Sequence, residues 1–124
     1  MTQENKQLLL QDLCARLPYG VIVETSKGRG YVCDINLTIF DTEVGVNINP
    51  TSRDKFKIEE CKPYLFPLSR ITEEQENELL YILEDKSDDE FEYKVVDFYN
   101  KNHFDYRGLI EKGLAIEAPK GIYN

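Results

Sequence analysis

The segment His103–Gly113, HFDYRGLIEKG, holds the single histidine of the chain. An imidazole does chemistry only with a carboxylate, a nucleophile or a metal beside it. Asp97 and Asp105 are its neighbours in sequence, but a chain with 23 acids produces such neighbours by chance. His103 therefore reads as a structural or surface residue just after a helix, where it can satisfy the last carbonyls. Arg107 lies between Tyr106 and Gly108. Its planar fork of five donors can pair with a carboxylate or stack on a ring. One reading pairs it with Asp105 or Glu111 and makes it hold the last element in place. The other makes Phe104, Tyr106 and Arg107 a knob that binds a partner protein.

Other reactive patterns are weaker. Cys14, Cys33 and Cys61 are odd in number and widely spaced, with no C-x-x-C. Zinc sites usually carry paired ligands, so three reduced and mostly buried thiols are expected, as in a cytoplasmic protein. The run Lys27-Gly28-Arg29-Gly30 lacks the spacing of a phosphate-binding loop and suits a hairpin turn. With Arg53, Lys55, Lys57 and Lys62 it can form one basic face on a sheet. The segment DKSDDE lacks the glycine and the final glutamate of a calcium loop. No nucleophile elbow, H-E-x-x-H or G-x-G-x-x-G occurs. No catalytic residue, metal or cofactor is expected.

Charge narrows the partners. The net charge is −8, from 15 basic and 23 acidic residues. Most of the excess lies between Glu73 and Asp97, where the bases are Lys86 and Lys94. Such a field repels duplex nucleic acid and acidic membranes. It reads either as the solvated side of amphipathic helices or as a DNA-like array of carboxylates, with Glu84, Asp85, Asp88 and Asp89 as its acidic face. The apolar runs, such as Leu8-Leu9-Leu10, fall far short of the ~20 residues that span a bilayer. The opening MTQENKQLLLQD does not resemble a signal peptide.

The elements that must position these residues follow from periodicity. The length of 124 residues suits one α+β domain, residues 1–124. Thr2 or Asn5 can cap a helix over 3–17, with Leu10, Leu13, Cys14 and Leu17 on its apolar stripe and Arg16 suiting the dipole of its last turn. A sheet is expected over 21–68. GVIVE and YVCDINL form a hairpin about TSKGRG. EVGVNIN places Val44, Val46 and Ile48 on one face, and Gly45 leaves room for a close approach on the other. FKIEE turns Phe56 and Ile58 inward. CKPYLFPLS, with two prolines, suits an edge strand or an extended connection. Three to five strands are expected, in a twisted antiparallel sheet or a partly open barrel.

Two or three helices then fill 72–112. Thr72 with Gln75 and Asp89 with Glu92 match capping boxes. Glu76, Leu79, Leu80 and Leu83 share one side of the first. Phe91, Val95, Phe98 and Asn102 share a stripe of the second. Asp105 can cap a short last helix from Tyr106 to Lys112, which Gly113 ends. In the tail, 114–124, LAIEAP suits a short strand and KGIYN a frayed end.

Three strings, DLCARLPYGV, CKPYLFPLS followed by ITEEQ, and HFDYRGLIEKGLAIEAP, together resemble a group of small proteins from gut bacteria and their phages or integrated mobile elements. That group has no assigned activity or site residues. The resemblance implies an accessory protein of mobile DNA and no particular reaction.

The expectation is a non-catalytic, cytoplasmic protein-interaction module. Eight of the 14 aromatic residues follow residue 80, and tyrosine and arginine are favoured interface anchors. The alternatives are an acidic DNA-mimic decoy for a DNA-binding protein, and a nucleic-acid binder or small enzyme using the basic sheet loops.

Overall fold

Thr2 starts the fold by accepting a hydrogen bond from the Asn5 backbone N–H at 3.1 Å. It thereby caps α1, Gln3–Arg16, in a computed structural model that describes residues 1–38, 41–49, 52–85 and 89–123. Pro18 and Gly20 end α1 as expected, through a 3-10 turn over Leu17–Tyr19.

Six strands follow the β-branched runs: β1, Ile22–Thr25; β2, Gly28–Leu37; β3, Thr42–Asn49; β4, Ser52–Lys57; β5, Lys62–Leu65; and β6, Ile116–Glu117. Their order in the sheet is β4-β3-β2-β1-β5-β6. All neighbours are antiparallel except β5 and β6. The sheet is therefore mixed, has one strand more than the upper expectation, and does not close into a barrel. The expected β1–β2 hairpin is present, with Thr25 opposite Gly28.

CKPYLFPLS is not an edge. β5 lies between β1 and β6, and Pro63 is tolerated because the β6 pairing begins only at Tyr64. A proline lacks the N–H of a second ladder.

The alternation expected in β2, with Tyr31, Cys33 and Ile35 on one face and Val32, Asp34 and Asn36 on the other, is broken in the structure. Val32 is buried and Ile35 packs against the same core, although they stand three positions apart. Val32 pairs with Val46 and Asp34 with Gly45, so Cys33 is an extra residue and the register shifts there. A bulge of this kind returns the next side chains to the needed face. It also leaves Cys33 exposed. Cys14 is exposed too, because α1 turns its other side inward, so only Cys61 meets the expectation of a buried thiol.

The core joins Leu9 and Leu13 of α1 to Val21, Val23, Val44, Val46, Phe56 and Ile58. Leu109, Leu114 and Ala115 from the end of the chain complete it. Two further helices follow: α2, Glu73–Glu84, and α3, Phe91–Lys101. The Thr72–Gln75 capping box of α2 is present in both directions. The Asp89–Glu92 box is not, because α3 starts one residue later, at an N-cap Glu90 that makes no side-chain cap bond.

The expected third helix over 106–112 is replaced by turns. The Asp105 carboxylate accepts from the N–H groups of Leu109 (2.8 Å) and Ile110 (2.9 Å), beyond the two or three residues that a helix cap spans. Gly108 has φ of 74°, which the interior of a right-handed helix does not contain, while Gly113, also at 74°, takes the left-handed conformation expected of it.

Candidate functional site

The fully buried face of α1 is Leu9, Asp12, Leu13 and Arg16; of the expected stripe, Leu13 lies in the core, Leu10 and Leu17 pack at its margin and Cys14 faces out. The buried face has the same i, i+3, i+4, i+7 spacing moved round by one residue, and two of its four members are charged. Asp12 and Arg16 are both fully buried. The Arg16 Nε donates to both Asp12 carboxylate oxygens, at 3.0 and 2.9 Å. Its second guanidinium arm donates to the Phe104 carbonyl at 2.5 Å.

Arg107 then approaches the same carboxylate from outside and donates to Asp12 Oδ1 at 2.8 Å. Its partner is thus on the first helix, and neither Asp105 nor Glu111. The Tyr106 ring lies beneath both guanidiniums, 4.4 Å from Arg107 and 5.6 Å from Arg16. The Tyr106 hydroxyl donates to Asn100 Oδ1 at 3.1 Å. One carboxylate shared by two arginines, with a ring beneath, welds the two ends of the chain together. Buried charge is tolerated only when paired and hydrogen-bonded in this way.

His103 completes this weld. It is the non-glycine residue with a left-handed backbone, φ 59°, among the described residues. Its N–H donates to the Asn100 carbonyl (3.2 Å), and its own carbonyl accepts from Phe66 (2.8 Å). The imidazole stacks on the Tyr123 ring at 3.6 Å. Burial, with the Arg16 charge second, lowers its pKa to about 4. It is therefore a neutral, packed ring near pH 7. Tyr123 donates its hydroxyl to the Tyr64 carbonyl at 2.6 Å and accepts from the Ile22 N–H at 3.0 Å. The expected frayed end is in fact tied to β1 and β5.

The residues expected to form a knob are built into this body. Phe104 is 1% exposed, with Phe98 stacked on it and Phe66 edge-on. Phe104 therefore offers no surface to a partner. Tyr106 is half-buried, and the Arg107 side chain is 20% exposed.

The basic residues of the sheet are interleaved with acids. Arg53 makes a two-pronged pair with Asp34, at 2.7 and 2.5 Å. This pair crosses β3 above Gly45, where an added Cβ would lie 2.5 Å from the Asp34 carboxylate. The room left by Gly45 is filled by an ion pair. Lys55 lies 3.7 Å from Glu43, and Lys27 lies 3.6 Å from Asp54. Arg29 covers the Tyr64 ring at 4.7 Å. Three of the six cations of the expected basic face, Lys27, Arg53 and Lys55, are thus paired with acids.

The α2–α3 hairpin is built differently. Gln75 Nε2 meets Asn102 Oδ1 at 3.4 Å and Lys101 meets Glu78 at 3.5 Å, joining the two helices. Phe98 anchors α3 by stacking on Phe104, and the Tyr19 hydroxyl bonds Asp97. Yet α2 has no buried residue, although Leu79, Leu80, Tyr81, Ile82 and Leu83 run through it. Tyr81 is 78% exposed and Tyr93 79%. Leu80 and Val96 are also exposed. Around them stand Glu73, Glu74, Glu76, Glu78, Glu84, Asp85, Asp89, Glu90 and Glu92. Of the expected acidic face, Glu84, Asp85 and Asp89 are exposed at the tip, and Asp88 lies outside the described residues.

Compared with known proteins, the chain matches no family model, no curated protein and no solved structure. Sequence reading found the hairpin's acids but not its display. The exposed side Asn77, Leu80, Tyr81 and Glu84 has the i, i+3, i+4, i+7 spacing of any amphipathic stripe. Only the tertiary arrangement decides which stripe is covered. No helix among the described residues is long and apolar enough to cross a membrane, and no three potential metal ligands gather among them.

Proposed function

We propose that the chain is a non-catalytic protein-binding module, and that the α2–α3 hairpin is its docking element. The observation that carries this reading is the pair Tyr81 and Tyr93, bare on a carboxylate-rich hairpin whose first helix has no fully buried residue. Helices in proteins are stabilised mainly by tertiary packing of an apolar face. In α2 the apolar residues Leu79, Ile82 and Leu83 are only half-covered, and Leu80 and Tyr81 are exposed. Tyrosines are preferred anchors at interfaces, because they bury a large ring with little loss of side-chain freedom. The surrounding acids select a basic protein surface and steer its approach. The phage or mobile-element setting implied by the sequence resemblance belongs to the same proposal.

Capture from a native host lysate tests it, with the wild type beside Tyr81→Ala/Tyr93→Ala and Glu84→Lys/Asp85→Lys/Asp89→Lys. The expected result is that folded versions of both variants lose a basic partner that the wild type retains. Retention unchanged by the tyrosine variant overturns the reading. If only the charge reversal matters, and retention falls steeply with salt, the chain acts as an acidic decoy instead.

A further inference from the structure

A cavity of about 340 Å³ opens between the start of α2 and the C-terminal tail. Its walls include Phe66, Arg70, Thr72, Gln75, Lys120 and Tyr123. Its volume lies within the range of small-molecule sites, roughly 300–1,000 Å³. Among the described residues the lining contains two cations and no acid. This is unusual in a chain of net charge −8, whose other cations mostly lie against carboxylates. Neither Arg70 nor Lys120 has a carboxylate partner among the described residues. The exposed acids of the first turn of α2, Glu73, Glu74 and Glu76, do not line the cavity.

The arginine is held ready. It lies over the Phe66 ring at 5.0 Å and donates one arm to the Ala118 carbonyl at 2.6 Å, which leaves its remaining donors for another acceptor. The Thr72 oxygen accepts from the Gln75 N–H at 3.2 Å, so its own hydroxyl hydrogen is available to donate. Tyr123 forms a fixed aromatic wall, edge-on to Phe66 at 5.9 Å and backed by His103.

We infer that this cavity binds a small anion carrying a flat ring, with its carboxylate or phosphate against Arg70 and Lys120 and its ring against Phe66 and Tyr123. Two like charges at one rim repel each other, and an anion between them reverses that repulsion. Aromatic walls add an affinity for rings that simple ions lack.

Nitrogen-15 NMR titration of the full chain tests this with four probes: benzoate, adenosine 5′-monophosphate, inorganic phosphate and adenosine. At least one ringed anion is expected to shift the amides of Thr72, Gln75 and Gly121 to saturation. The better of the two identifies the head group as carboxylate or phosphate. Phosphate and neutral adenosine should bind at least roughly tenfold more weakly, because each supplies half of the recognition. Lys120→Gln should weaken binding roughly tenfold, the scale of one charge-assisted contact. Lys62→Gln, away from the cavity, should leave it unchanged. Arg70→Gln should also weaken binding. If that variant fails to fold after losing its bond to Ala118, Lys120→Gln still decides, since Lys120 is exposed and its side chain makes no bond among the described residues. No saturable shift from either ringed anion up to about 10 mM, an affinity weaker than any specific site of this kind, overturns the inference. So does binding that Lys120→Gln leaves intact.

Discussion

Tyr106 and Tyr81 belong to the same acidic half of the chain, yet they face opposite circumstances. Tyr106 sits under two guanidiniums and donates its hydroxyl to Asn100. Tyr81 stands 78% exposed on a helix with no buried residue. The first region closes the body by joining residues 12 and 16 to residues 103–107. The second projects from it. Aromatic and charged residues together therefore do not identify a binding surface. What separates the two regions is whether each charge and each ring already has a partner within the chain.

The strongest way to break this contrast is to remove the carboxylate at its centre. Asp12→Ala leaves Arg16 buried without its counter-charge and should destabilise the fold by about 3–5 kcal/mol, as measured by urea unfolding. A loss below about 1 kcal/mol, the size of a surface pair, would place Asp12 outside the weld.

Acid should act on the same region. His103 binds a proton near pH 6.5 when unfolded and near pH 4 when folded. Between those values the unfolded chain holds more protons, so stability is full above about pH 6.5 and falls as pH drops toward 4. The loss should reach no more than about 3 kcal/mol. His103→Asn, which also tolerates a left-handed backbone, should lack this part of the pH dependence. Identical pH profiles for variant and wild type would show that the imidazole contributes nothing.

A matched pair of double variants sharpens the contrast. Tyr106→Ala/Arg107→Ala should lower stability by roughly 2–3 kcal/mol, through a lost ring and a partly unpaired Asp12. Tyr81→Ala/Tyr93→Ala should change it by less than about 0.5 kcal/mol, as for surface positions. Equal thermal unfolding of the two would erase the distinction.

Much of the fold was legible because it is local. The Thr2 and Thr72 caps, the β1–β2 hairpin and the alternation through Val44 and Val46 each depend on residues a few positions apart. The misreadings concern partners far away. Leu10, Leu13, Cys14 and Leu17 make as good a stripe as Leu9, Asp12, Leu13 and Arg16 until Phe104 and Arg107 are known to lie against the latter. The bulge at Cys33 is set by what β3 offers opposite it. The turns of 106–112 follow from an Asp105 carboxylate that reaches further along the chain than a helix cap does. As for the candidate site, the acids of the hairpin could be read and the exposure of its tyrosines could not. Exposure depends on what the rest of the molecule leaves uncovered.

The Arg16–Phe104 bond spans 88 positions of sequence. Closing so long a loop costs entropy before any contact rewards it, which places this clasp late on the folding route. A late clasp has little influence on how fast the native body is reached and a large one on how long it survives. Replacing the buried arginine is therefore expected to speed unfolding more than it slows folding, so that the first helix and the loop after α3 jointly set the lifetime of the native state.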